Sequence, residues 1–569
     1  MKLIHLRVRN FRGIQSLDWR IDRRVNCLVG PGDSTKTTVL DALELVLSPR
    51  WNVLFGDADF FDCDYNQEIL IRAVISEFPK ALLNEEKFGL CQLAWDESGQ
   101  QLKELEEGDV PVLAVQLKVG PSLEPEWSVI VSERDPRYIS SKDREAFGIT
   151  RLGEFVDRHI TWARGSALAR MSEGTQSIRE VLAEAQRQAT HAVRDLKGTS
   201  LHECATKIEG FGKELGVNPR STYGPGLDTR SLGEGTSFLS LHDGLVPLRM
   251  CGLGTRRLLA AAIQRQGQSE SGAVIIDEIE HGLEPHRLIH LLRTLLAAED
   301  KEKGPQLFIT THSPTVIAEI GGDGICVVRS DGANTRVVPL PSDDEFKGLV
   351  RAKPESLLAR RVIVCEGPTE GGLLWALDEL LRFNEKPSFG LLGVVASDGG
   401  GNTKGPALAV RLASLGYTVC FFGDSDEPPN PDQTMMTAAN VKVLLWEGEM
   451  CTEERLLSDV PIHLLQPIYD LACEHYGDES CRSCVRGSLG ADGNSFDGNV
   501  SAWLKAHDET QLRAALGKAA KGSKSRAGWF KRWDKAWELG ALLFRHVGEL
   551  IGTPTNNLVD SICTWIGEE

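Results

Sequence analysis

At 569 residues the chain exceeds what one hydrophobic core supports, so two or more domains are expected. Its 41% hydrophobic and 25% charged residues are ordinary for a soluble globular protein, and no apolar run approaches the length that spans a bilayer. A formal net charge of -18 argues against broad, nonspecific coating of nucleic acid, while leaving room for a local basic groove and for metal-binding carboxylates.

The start, MKLIHLRVRNFRG, has no apolar core followed by a small-residue cleavage site, which points to a cytoplasmic protein with no membrane attachment. The 13 cysteines, an odd number, fall in apolar stretches such as those around Cys27, Cys365 and Cys420. They read as reduced core residues rather than a disulfide framework.

In chain order, apolar and polar residues alternate from Leu3 to Arg9, turn at Asn10-Phe11-Arg12-Gly13 and run on to Leu17 and Trp19, the pattern of a β-hairpin. Asn26-Cys27-Leu28-Val29 reads as a buried strand entering a Gly/Pro turn, and Thr37 to Leu47 follows with helical spacing. Short strand-like runs from Ile69 to about Val131 predict a mainly antiparallel sheet. Alanine, leucine, glutamate and arginine at helical spacing from Gly153 to Val217 predict a helical insertion, a candidate dimerisation arm. After the glycine-rich stretch Tyr223 to Gly235, residues 251–330 alternate helix with buried strand. Pro339 to Pro354 is polar and proline-bearing, as a linker would be. A second β/α series begins at RRVIVCEG, and the chain is helical beyond about Pro461. The expected boundaries are 1–152 and 223–345 for the two parts of one α/β domain, 153–222 for the insertion and 355–569 for a second α/β domain with a helical C-terminal region.

Two constellations carry chemistry. Gly30-Pro31-Gly32-Asp33-Ser34-Thr35-Lys36-Thr37 matches most of a Walker A loop. Backbone N–H groups of such a loop surround the β-phosphate, Lys36 would contact the β- and γ-phosphates, and Thr37 would offer a hydroxyl to Mg²⁺. Thr35 departs, because glycine usually precedes the lysine and a Cβ crowds the approach of phosphate to backbone. Alone, this could be an ordinary strand–turn–helix. Ala273 to Glu278 adds an apolar strand ending in two carboxylates, Asp277 to hold Mg²⁺ and Glu278 to polarise water, although acids cap many strands. His312 follows the strand-like QLFITT, and Gly252-Leu253-Gly254-Thr255-Arg256 precedes a helix shortly before the Ala273 strand. These pieces, with NFRGI and IIDEIEHGLEPHR, resemble the RecF, SMC and OLD branch of ABC ATPases over about residues 1–340. The resemblance implies an ABC-type ATPase head, Gly254 in the loop that grips the partner's nucleotide, His312 as the switch histidine, and ATP held between two heads of a homodimer or larger assembly.

The second constellation is acidic. Val362 to Gly367 is an apolar strand ending at Glu366, and Cys420 to Asp426 is another ending in Asp424-x-Asp426. Alternation along an extended chain points the two aspartates the same way. With Glu370 one helical turn beyond Glu366, they make an all-oxygen set suited to Mg²⁺ or Mn²⁺. The pattern is similar to the Toprim fold, and the order ATPase then Toprim resembles the OLD (overcoming lysogenization defect) nucleases, in particular the nuclease subunit of Gabija-type antiphage systems. That resemblance implies a second acidic group of the form Glu-x-x-Leu, for which Glu453 is preferred over Glu447 and Glu449. Asp398 is a further candidate. It also implies a C-terminal lysine at the phosphate, Lys531 or alternatively Lys524. Lys518 to Lys535 is basic and interleaved with Trp529, Phe530 and Trp533, as a DNA contact would be, or a solvated helix start.

The expected function is therefore an ATP-binding, metal-dependent DNA endonuclease, with DNA, a second copy of the chain and a helicase or other defence-system protein as partners. The competing reading is a RecF/SMC-like repair ATPase whose Toprim domain binds DNA without cutting. Cys473, His475, Cys481 and Cys484 have the types and spacing of a small zinc site, or of a helix end with reduced thiols.

Overall fold

The computed structural model describes residues 1–152 and 252–567, apart from 51, 80–81, 84–86, 97, 100, 133, 268–271, 298–303, 506, 524–525 and 527, with a few isolated positions between the two stretches. The expected helical insertion, the glycine-rich stretch after it and Lys524 lie outside the described residues. Among the described residues no helix is long and apolar enough to cross a membrane.

Among the described residues, the N-terminal part is built on a mixed sheet of fourteen strands. At its centre Val25–Val29 is flanked in parallel by Gln306–Thr310 and Ile325–Ser330, and Gln306–Thr310 in turn by Ala273–Ile276. These strands are almost continuously apolar and buried, as expected where both faces of a parallel sheet are covered. The other wing is antiparallel. Lys2–Phe11 pairs with Ile14–Arg20 and with Ile69–Ser76, which pairs onward with Pro111–Val119. The helix Lys36–Leu47 buries Val39, Leu40, Leu43, Val46 and Leu47, an i, i+4, i+7 stripe that holds it against the sheet.

The four apolar runs of the second β/α series are the four strands of a separate parallel sheet, in the order Val394–Asp398, Arg361–Cys365, Thr418–Gly423, Val441–Leu445. The helices beyond it share one core, which includes Leu456, Tyr469, Leu512, Trp529, Phe530 and Leu543.

Residues 339–354 are not an open linker. Asp343 caps the helix Asp344–Ala352 by accepting from the Phe346 N–H, and Phe346, Leu349 and Val350 are buried. Their i, i+3, i+4 spacing was obscured by surrounding charges and prolines. Through them the core of the first sheet (Val29, Ile276, Val327) runs on into that of the second (Val364, Phe421).

Candidate functional site

The loop Gly30–Thr35 joins strand Val25–Val29 to helix Lys36–Leu47. A Cβ on Gly30 would sit 2.5 Å from the Val328 carbonyl oxygen, so only glycine fits there. Asp33 and Thr35 have φ of 59° and 65°, the left-handed region, which a β-branched residue rarely enters. Thr35 is tolerated because its hydroxyl donates to the Ser34 carbonyl (2.6 Å) and meets the Thr335 hydroxyl (3.0 Å). Gly13 leaves room for its methyl, since a Cβ there would be 3.1 Å from Thr35 Cγ2.

Lys36 Nζ folds onto the loop, donating to the carbonyls of Gly30 (3.1 Å) and Pro31 (2.7 Å) and to Ser34 Oγ (3.1 Å). Burial pushes its pKa down to about 8. Gly32, Asp33 and Thr37 face outward.

Thr37 Oγ1 lies 3.3 Å from Asp277 Oδ1, so the helix start and the acidic strand end do meet. Asp277 also accepts from Thr310 Oγ1 (2.5 Å) and from Arg151 (2.9 Å), which pairs further with Asp41 and Glu44. The Glu278 N–H donates to Thr310 Oγ1 (2.8 Å), and Glu278 itself has φ 44°. Arg257 donates to the Glu278 and His281 carbonyls at 2.7 and 2.9 Å. Gly254 packs on Gly282, where a Cβ would be 2.5 Å from the carbonyl oxygen. His312 is exposed and its N–H is fixed by Glu280 Oε1 at 2.6 Å.

The acidic residues gather at the carboxyl ends of the second sheet, where open α/β sheets place their sites. Glu366 follows strand Arg361–Cys365, and its Oε2 accepts from the Asp424 N–H at 2.9 Å. Glu370, in the first turn of helix Pro368–Phe383, accepts from the Gly367 N–H (2.8 Å) and lies 2.5 Å from Thr452 Oγ1. Asp424 Oδ1 accepts from both the N–H (2.7 Å) and the hydroxyl (2.8 Å) of Thr452. Glu453, fully buried, accepts from Thr369 Oγ1 (3.0 Å) and is paired by Lys531 Nζ at 3.0 Å. Asp426 is paired by Lys521 at 2.6 Å, and Glu454 lies 3.5 Å from the same ammonium.

Thr452 is the hinge of this network. Its hydroxyl accepts from Trp446 Nε1 (2.6 Å) and has one proton to give to two carboxylates. One of those two contacts therefore needs a proton on the carboxyl. Burial first, then the neighbouring Asp424, pushes Glu370 well above the usual carboxylate range, and burial with Glu453 does the same to Asp424. Burial also raises Glu366. Two lysines, Lys521 and Lys531, face six carboxylates, Glu366, Glu370, Asp424, Asp426, Glu453 and Glu454. Glu370 and Glu453 are buried and the other four half-buried, and an all-oxygen set with this surplus of negative charge has the chemistry for a hard divalent cation, although among the described residues its oxygens do not converge as one ligand set.

Several expectations are corrected. The strand ends at Gly423, so alternation does not extend to the aspartates, and Asp424 and Asp426 take different partners. Glu447 and Glu449 are exposed on the loop ahead of Glu453, and Asp398 is exposed, its carboxylate accepting from the Gly400 N–H at 2.9 Å. Trp529 and Phe530 are core residues and cannot stack on bases, while Trp533 packs over Gly371. Cys473, His475, Cys481 and Cys484 do not converge as one ligand set among the described residues, and His475 faces Glu538 at 2.5 Å. Thr452, Thr369, Lys521, Arg151 and Arg257 were not foreseen. Of these only Lys521 lay in a segment singled out by its composition, the basic run Lys518 to Lys535.

Comparison with known proteins gives two family-model matches. A model described as "AAA ATPase domain" matches residues 1–105, and one described as "AAA domain, putative AbiEii toxin, Type IV TA system" matches residues 209–318. The N-terminal part of the chain thus matches AAA-type ATPase domains, which implies nucleotide binding. Over 402 residues the chain is 25% identical to an OLD nuclease of Thermus scotoductus, covering 64% of this chain and 71% of that protein. Among solved structures, the SMC head domain of Thermotoga maritima is 16% identical with a TM-score of 0.28, covering 60% of this chain and 100% of that one. An SMC head with an extended coiled coil from Pyrococcus furiosus, bound to a ScpA domain, is 13% identical with a TM-score of 0.35, covering 61% and 98%.

Proposed function

We propose that the chain is an ATP-binding, divalent-metal-dependent DNA endonuclease of the OLD type, in which residues 1–152 and 223–345 form the ATPase head and 355–569 a Toprim nuclease domain. The observation that carries this reading is the carboxylate cluster at the strand ends of the second sheet, buried at Glu370 and Glu453 and closed by Lys531 on Glu453. Glu366, Glu370, Asp424, Asp426 and Glu453 would hold Mg²⁺ or Mn²⁺. When bound, the ions would neutralise the scissile phosphate and lower the pKa of a water.

The protein's own groups do the positioning. Thr452 and the Asp424 N–H fix the orientations of Asp424, Glu370 and Glu366 before any ligand arrives. Lys531, one side of which is open, is placed to follow negative charge from Glu453 to a phosphate oxygen. In the head, Gly30 to Thr37 would cradle nucleotide, Thr37 and Asp277 would hold its Mg²⁺, and Glu278 and His312 would orient water. Lys36 would have to leave the loop carbonyls for the phosphates. Gly254 would meet nucleotide on a second copy of the chain, which makes the active form a homodimer or larger. A cytoplasmic antiphage role, with a helicase or similar partner, rests on the likeness to Gabija-type nuclease subunits alone.

The test is cleavage of supercoiled plasmid in Mg²⁺ or Mn²⁺, with and without ATP, by wild type and Asp424→Ala. Cutting by wild type alone is expected. Equal cutting by the variant, or none by wild type under every condition, would overturn the reading.

A further inference from the structure

Among the described residues, the side chains that come closest to enclosing a single ion are not the carboxylates but His463, His546 and Glu549, whose ligand atoms all lie within 4.8 Å of one another. Glu549 Oε1 is 2.8 Å from His546 Nδ1, and Glu549 Oε2 is 3.7 Å from His463 Nε2. The two imidazoles stand edge to face, with centroids 5.4 Å apart. Ligand atoms around tetrahedral zinc at ~2.0–2.1 Å lie ~3.4 Å apart, so small side-chain rotations close the set.

The backbone beneath is anchored. His463 rides the turn Ile462–Leu464, and Glu549 rides Val547–Leu550, directly after His546. Leu464 and Leu550 are both buried in the same core, and the Glu549 N–H donates to the His546 carbonyl at 2.9 Å. The three ligands are thus held out from two pinned turns, partly open to solvent.

We propose that His463, His546 and Glu549 form a transition-metal site, suited to Zn²⁺, distinct in chemistry and place from the carboxylate cluster. Two imidazoles and one carboxylate select a borderline ion, where the all-oxygen cluster selects a hard one. The position gives the site a purpose. The first turn follows helix Thr452–Asp459, whose other end carries Glu453, about 12 Å away for eight residues. The second follows helix Trp533–Phe544, which begins two residues after Lys531. A metal here clips together the far ends of the two helices whose near ends set the Lys531–Glu453 pair.

The experiment titrates the full chain with Co²⁺ and then Zn²⁺ in excess Mg²⁺, which keeps the carboxylate cluster filled. Expected are one Co²⁺ per chain with a visible ligand-field band, displacement by Zn²⁺, and a Zn²⁺-dependent rise in Tm. His463→Ala and His546→Ala should each lose at least about tenfold in affinity, along with the rise in Tm, and Glu549→Gln should weaken binding without touching either ring. His475→Ala, outside the site, should keep all three responses. Wild-type protein that gives no band, or a His463→Ala/His546→Ala variant that binds Zn²⁺ as wild type does, would overturn the proposal. Because plasmid cleavage is not the readout, failure here leaves the nuclease reading intact, and the reverse.

Discussion

The Arg329 guanidinium lies 3.6 Å from the centroid of the Tyr417 ring. Arg329 lies near the end of the strand Ile325–Ser330 that borders the nucleotide loop, where the Val328 carbonyl meets Gly30, and Tyr417 directly precedes the strand Thr418–Gly423 that ends beside Asp424. Arg329 also donates to the Ala359 carbonyl (3.2 Å) and the Tyr417 hydroxyl to that of Leu357 (2.8 Å). Burial pushes the Tyr417 hydroxyl up to about 12 and Arg329 down. One cation–π pair thus links the strand beside the nucleotide loop to the start of the strand that leads to Asp424.

A desolvated cation–π pair contributes about 2 kcal/mol. Arg329→Ala should lower unfolding stability by roughly that amount, and Tyr417→Phe, which keeps the ring and loses one hydrogen bond, by about 1 kcal/mol. The decisive quantity is the double-mutant cycle on the ATP dependence of cleavage. Additive single effects on that dependence would mean that the pair is only structural.

Breaking the Lys531–Glu453 pair has a separable outcome. Glu453 is fully buried, while the Lys531 side chain is 36% exposed, so the full penalty of about 3–5 kcal/mol for a broken buried pair is reduced by solvent. Lys531→Met should destabilise by roughly 1–3 kcal/mol, and adding Glu453→Gln should recover most of that, since neither member of the pair is then left charged without the other. Cleavage should be lost in both. Chemical denaturation of the two variants checks this, and equal stability loss in single and double variants would contradict it.

Much of this was legible beforehand, and for a physical reason. Buried parallel strands are continuous apolar runs, so VIVCEG, GVVAS, TVCFFG and VKVLL announce themselves, and with them the positions of Glu366 and Asp424. Thr452 was not legible, because a threonine ahead of a glutamate helix start has no chemistry until the fold sets it between Glu370 and Asp424. Trp529 and Phe530 failed in the other direction. An aromatic beside lysines looks the same as a stacking platform or as core, and only burial decides. Arg151 was hidden because its partners, Asp41, Glu44 and Asp277, come from three separate segments.

The raised carboxyls make stability depend on pH in a definite direction. Glu370 and Asp424 are held above their unfolded values of ~4, so above that pH the folded chain binds more protons than the unfolded one. Stability should therefore fall as pH rises through the raised values, and be fully present only below the unfolded ones. In EDTA the Tm should drop from mildly acidic to mildly alkaline pH, and Mg²⁺ should flatten the slope by replacing the proton with a cation. Asp424→Asn should also flatten it in EDTA. A slope that neither Mg²⁺ nor the variant changes would rule out these carboxyls as its source.

Thr35 offers the sharpest test of the nucleotide loop. At φ 65° its Cβ adds strain of about 1–2 kcal/mol, relieved in part by its bond to Thr335. Thr35→Gly removes the strain and the bond together and makes the unfolded chain more flexible, so stability should change by less than about 1 kcal/mol. Nucleotide affinity is where the difference should appear, because the removed Cβ stands where phosphate approaches the backbone. Thr35→Val keeps the branch, loses the hydroxyl, and should destabilise without any gain in binding. Fluorescent-nucleotide titration of the two variants separates the effects. Tighter binding by Thr35→Gly alone would identify Thr35 as a brake on nucleotide engagement, whereas equal affinities would show that the loop already opens wide enough around its threonine.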